Sequence, residues 1–158
     1  MADNDTTIPA SQAGDKQVML SRIYVKDCSF ESPRAPEVFT TQMDPEVKVS
    51  MRTNTKQLDA NSVEVVLSIT IEAQSDKKPL FLVEVHQAGV FAVIGFNEAE
   101  RGAIIGSYCP SILFPYAREA VSDLVIRGGM PVLLLQPVNF DAVYAQSLSQ
   151  GAGPGATA

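Results

Sequence analysis

The chain of 158 residues has no tryptophan, a single histidine and two cysteines, and its 18 acids outnumber its 12 bases. Each shortage closes off a class of function. A net charge of −6 argues against a phosphate-backbone binder, because affinity for nucleic acid rests on lysine and arginine. It suits a basic partner instead. Cys28, Cys109 and His86 cannot supply the roughly four ligands of a structural zinc site. The two cysteines form no CxxC and are expected as free thiols in a reducing cytosol. No apolar run reaches the ~20 residues that span a bilayer, and the opening MADNDTTIPASQAGDKQ has neither a basic nor an apolar signal region. The expectation is a soluble, cytoplasmic protein with no direct membrane insertion. No GxSxG elbow, HExxH pair or DxDxDG loop is present either. Gly151, Gly153 and Gly155 follow the last helical segment and precede nothing that offers a helix N-terminus to phosphate. No catalytic residue, metal or cofactor is expected.

What is there is a β-rich chain that turns helical late. Residues 1–17 read as a disordered arm and 151–158 as a flexible tail, leaving one domain over 18–150. Val18 to Phe30 is strand-like but changes face, which predicts a bulge near Asp27. SPRAPE, with Pro33 and Pro36, is a connection. Val47, Val49 and Met51 alternate with Lys48, Ser50 and Arg52 as a half-buried strand. Val63 to Ala73 is the cleanest strand, and SDKKP (Ser75 to Pro79) the hairpin connection after it. Leu80 to Gly95 is apolar on both faces, so it needs cover on two sides, from its own helices or from another subunit.

Beyond Gly95 the period changes. Glu98 to Ile105 predicts a short helix ended by Gly106, and Pro115 to Arg127 a longer one stopped by Gly128 and Gly129. MPVLLLQPVN is an extended apolar crossing, and Asn139 caps a last helix from Phe140 to about Gln150. Four strands followed by helices describe an α+β fold, a four-stranded antiparallel sheet with helices packed on one face.

Two features stand out as surface. Asp27, Ser29 and Glu31 point the same way in an extended segment, and Glu84 interrupts an apolar run. Acids so placed could dock a basic partner; read alone, they equally describe a solvated strand edge. Phe114, Tyr116, Leu133 to Leu135, Phe140 and Tyr144 gather around irregular, proline-rich segments. They read as core and subunit contact, or as a groove for extended apolar peptide. A small oligomeric α+β enzyme using Glu84 or His86 is the alternative from another class.

Five stretches then resemble one family. YCPSILFPYARE (Tyr108 to Glu119), RIYVKDCSFE (Arg22 to Glu31), PEVKV (Pro45 to Val49), FLVEVHQAGVF (Phe81 to Phe91) and PVNFDAVY (Pro137 to Tyr144) match, in order and approximate spacing, segments of the SecB protein-export chaperones. The resemblance runs from about Arg22 to Gln150. It implies a homotetramer, a dimer of dimers, that holds unfolded secretory precursor proteins without ATP and passes them to the SecA motor. By position it implies Asp27, Glu31, Leu82 and Glu84 as the SecA-binding surface. Val47, Val49, Met51, Phe114, Tyr116, Phe140, Tyr144 and Leu148 fall to the client groove, and Val83, Val85 and Gln87 to subunit contacts. His86 stands where the family has glutamine, and Tyr144 where phenylalanine is usual. A SecB-like chaperone of a toxin–antitoxin pair is the alternative within the fold.

Overall fold

The computed structural model describes residues 15–151. The expectations for 1–14 and 152–158 lie outside the described residues. Four antiparallel strands, β1 (Gln17–Glu31), β2 (Glu46–Gln57), β3 (Ser62–Ser75) and β4 (Lys78–Ile94), form one sheet in the order β1-β4-β3-β2. β1 takes in Gln17, the last residue allotted to the arm, through its pairing with Ile94. Three helices follow: α1 (Glu98–Ala103), α2 (Cys109–Arg127) and α3 (Phe140–Ser149).

Alternation decides the two faces. Odd-numbered residues of β3 and β4 point to one side, where Val65, Leu67, Ile69, Ile71, Val83 and Val85 are fully buried. α2 covers that side, lying mainly across β4 and β3 with a smaller contact on β1. Its stripe of Leu113, Ala117, Val121 and Val125 completes the core. From Phe81 onward the even-numbered residues of β4, like those of β3, line the opposite, open face; Leu80, at a register shift against β3, is buried in the core instead.

β1 keeps its apolar side inward only by slipping twice. Register shifts fall between Leu20 and Arg22 and between Val25 and Asp27. Each extra residue flips the parity of the strand. As a result Val18, Leu20, Ile23, Val25, Cys28 and Phe30 all pair with odd-numbered, helix-side residues of β4. The bulge expected near Asp27 is the second of these shifts. Phe30 stacks on Phe81 with ring centroids 5.9 Å apart.

The SDKKP connection is tighter than expected. Ser75 already pairs with Lys78 and Gln74 with Pro79, so only Asp76 and Lys77 turn, at φ of 53° and 62°. Two central residues with positive φ match the twist of the flanking strands. The connection after β1 hides one core residue: Val38, in a short 3-10 turn (Glu37–Thr40), is 1% exposed.

Helix α2 overturns a sequence expectation. It does not begin at Pro115, and Gly106 does not end the segment before it. A π turn (Ile104–Tyr108) links α1 to α2, and Ala103, Ile104, Tyr108 and Cys109 all hold right-handed helical dihedrals. The amide of Cys109 reaches back five residues to the Ile104 carbonyl. That wider turn shifts the ladder just ahead of Pro110, which has no amide to give. Pro115 then costs one rung, but Ser111 and Pro115 are both exposed, so the abandoned carbonyl faces water. Gly106 has another purpose. A Cβ there would collide with the Tyr144 ring, so glycine is what lets α3 dock on the π turn.

The expected stop after Arg127 is present in full. Gly129 holds φ +73°, its amide donates to the Ile126 carbonyl, and the Met130 amide donates to the Val125 carbonyl. This is the paired-bond left-handed cap, closed by buried Met130 and Val125. The segment from 130 to 139 has no regular secondary structure, and at its end the Asn139 side chain accepts from the Ala142 amide and caps α3.

Candidate functional site

The open face carries the acids as a group. In the β1–β4 register Asp27 lies opposite His86, Ser29 opposite Glu84, and Glu31 opposite Leu82. The four positions expected to meet SecA therefore form one patch, with directly opposed side chains roughly 5 Å apart at Cβ. The second bulge brings this about, since without it Asp27, Ser29 and Glu31 would turn inward. Asp27 and Glu31 are exposed, and among the described residues neither joins an ion pair. Leu82 and Glu84 are half-buried.

His86 organises one corner of the patch. Its Nε2 donates to Glu84 Oε1 at 2.8 Å, because a carboxylate can only accept. In the neutral ring Nδ1 is then the acceptor, taking the Ser68 hydroxyl at 3.2 Å. The imidazole thus spans β3 and β4 and fixes one oxygen of Glu84. The Glu84 side chain keeps 45% of its area exposed, so it can still meet a partner. Sequence alone gave His86 no partner.

A second cluster borders the acids. Lys26 Nζ donates to Glu64 Oε1 at 2.8 Å, and the Tyr24 hydroxyl donates to the other oxygen. These bonds, Lys26 first and Tyr24 second, hold the Glu64 carboxyl below its usual range. The same Glu64 bond, with desolvation, pushes the Tyr24 phenol up to about 12. Glu64 is neutralised internally, whereas Asp27 and Glu31 are left for something else.

On the helix side, the residues expected to form the client groove divide. Val47, Val49 and Met51 sit beyond the main cover of α2 and remain 40, 42 and 39% exposed. Tyr116 on α2 and Leu148 on α3 are exposed too, at 47 and 52%. Phe114 and Phe140 are not open surface. They are 5 and 7% exposed and meet edge to face at 5.7 Å, where α3 clamps α2. Tyr144 is half-buried against Gly106. The apolar excess around YCPSILFPYARE is thus partly core.

Val83, Val85 and Gln87 need correction as direct subunit contacts. They are 0, 0 and 3% exposed in the single chain, beneath its own helix layer. The Gln87 amide donates to the Tyr24 carbonyl at 3.0 Å. They leave no free surface to touch another copy. The chain's own helix explains why β4 is apolar on that side.

Residues 11–151 match the family model described as preprotein translocase subunit SecB. The chain belongs to the SecB family. It is 49% identical over 138 residues to the protein-export protein SecB of Methylococcus capsulatus, covering 87% of this chain and 89% of that one. Its identity to the protein-export protein SecB of Nitrosococcus oceani is 46% over 159 residues, 99% and 97% of the two chains. The fold is similar to that of a SecB-like chaperone of Mycobacterium tuberculosis, solved with a ChAD peptide from the HigA1 antitoxin. That likeness has a TM-score of 0.64 at 20% identity and covers 77% of this chain and 90% of the other. As a member of the SecB family, the chain is a chaperone of preprotein export. The export relatives resemble it far more closely than the antitoxin-bound one, so the toxin–antitoxin alternative is not favoured. Among the described residues no helix is long and apolar enough to cross a membrane.

Proposed function

We propose that this SecB-family chain is a cytoplasmic, ATP-independent holdase, a homotetramer arranged as a dimer of dimers. It binds unfolded secretory precursors on its helix side and hands them to SecA through the open face of its sheet. The supporting observation is the segregation of the two faces. Exposed apolar side chains of β2 lie on one, and the unpaired acids Asp27 and Glu31, beside Glu84, lie on the other. A protein so divided can engage an unfolded apolar chain and a basic docking segment at once. Binding the unfolded form alone delays folding by mass action, without a nucleotide. A small enzyme built on His86 is disfavoured, because the Ser68 hydroxyl bonded to its ring belongs to a buried residue that offers a substrate no access.

The test is refolding of a slow-folding secretory precursor with the purified full chain and no ATP. A stoichiometric amount of tetramer should slow refolding several-fold, and an unchanged rate sinks the proposal.

A further inference from the structure

His86 belongs to a row that crosses the open face. Asp27 of β1 pairs with it on one side and Ser68 of β3 on the other, and Arg52 of β2 stands beyond Ser68. On its own strand it is two residues from Glu84, so the two side chains share a face. Among the described residues Glu84 is engaged through Oε1 alone, which leaves Oε2 without a hydrogen bond. A basic docking segment therefore meets a carboxylate that is already oriented, with one oxygen free to accept.

The ring affects that carboxylate in two ways. A glutamate anchored at one oxygen has less rotamer freedom to lose when a partner binds. In the neutral ring Nε2 donates and Nδ1 accepts, so a second proton goes to Nδ1. Ser68 tolerates the change, because a hydroxyl accepts as readily as it donates. The charge of the patch does change. The new cation faces Asp27 across the strands and Glu84 along its own, with Glu31 and Glu72 flanking Leu82 farther along the face. On the other side stand the bases of β2: Arg52 in the same row, Lys48 opposite Glu72, and Lys56 opposite Glu64. Lys26, Lys56 and Glu64 line one depression with His86, and there Glu64 is bonded to Lys26 and Tyr24. His86 thus marks the boundary between the acids of β1 and β4 and the bases of β2, and a proton on it moves that boundary into the acids.

We propose that His86 is a positioning residue for the basic partner of the open face, and that a second proton on its ring weakens the docking. Neutral, it presents Glu84 to the partner. Charged, it offsets the carboxylate it holds and repels the partner's cations. The inference rests on the docking reading of Asp27, Glu31 and Glu84, and adds to it a residue and a pH dependence.

The experiment measures SecA binding to the full-length chain by calorimetry at about pH 8 and about pH 6, the range in which histidine side chains commonly change charge. His86→Gln and His86→Leu are compared with the parent. Glutamine can still donate to Glu84 and accept from Ser68 but takes up no proton, whereas leucine does neither. At the higher pH His86→Leu should bind about five-fold more weakly, and His86→Gln within about two-fold of the parent. Between the two pH values the parent should lose about five-fold more affinity than His86→Gln, a comparison from which any titration of SecA itself cancels. The chain has one histidine, so nitrogen-15 spectra read its ring directly, and the neutral form should carry its proton on Nε2. Equal affinity of the parent and a folded His86→Leu at the higher pH overturns the proposal. So does an equal pH response in the parent and His86→Gln, or a neutral ring protonated on Nδ1. The glutamine comparison and the spectra decide even where leucine costs the fold. If Asp27→Lys with Glu84→Lys leaves SecA binding intact, the docking reading falls and this one with it. If that variant abolishes binding while the histidine variants follow the parent, this inference alone falls.

Discussion

Asp76 and Lys77 make the β3–β4 turn with positive φ, a region that glycine, asparagine and aspartate tolerate and lysine does not. Lys77→Gly should therefore raise stability by about 0.5–1 kcal/mol, read as a higher urea midpoint at unchanged slope. Glu64 makes a second prediction at this scale. Its folded carboxyl is held below the ordinary range, so its contribution is present above the unfolded pKa and is lost as pH falls through the folded one. Glu64→Gln should accordingly lose less stability between neutral and acid pH than the parent chain, measured by urea unfolding across that window. Single residues were unevenly legible. Asp27, Ser29 and Glu31 could be placed on one face because a strand alternates. Neither the Glu84–His86–Ser68 bridge nor the burial of Phe114 could be read, since both depend on what a neighbouring element brings within reach.

Among the elements, β3 and the last helix were plain in the sequence, because alternation and the Asn139 cap are local signals. The long helical run was not. Pro110, Pro115 and Gly106 are breakers by propensity, and the π turn that accommodates them leaves no mark in hydrophobic spacing. The docking of α3 on that turn is open to a test. Gly106→Ala drives a methyl into the Tyr144 ring and should destabilise the chain by about 1–3 kcal/mol. Tyr144→Ala removes the obstacle, so the double variant should be more stable than the two losses summed. Additive losses in a double-mutant cycle would show that α3 docks without this contact.

For the whole molecule, the sheet's two faces should fail separately. Asp27→Lys with Glu84→Lys reverses charge on the open face only, so SecA binding should be abolished while capture of an unfolded precursor is retained. Calorimetry with SecA, beside the refolding assay, checks this; loss of both at once would signal misfolding. The assembly was the least legible level. Val83 and Val85 fell to contacts with another copy by position in the resembled family, and a strand apolar on both faces does not say which cover belongs to its own chain. The strand order carries one more consequence, and it concerns synthesis. β1 is made first but pairs only with β4, Gln17 with Ile94 and Glu31 with Leu82. Some fifty or more residues must emerge between partners, which at about 5–20 residues per second is several seconds on the ribosome. The β3–β4 hairpin, closed by two residues, can form within about 10 μs of emerging. The nascent chain of this chaperone thus spends its own birth with an unpaired, half-apolar strand in the open, in the condition of the precursors it serves.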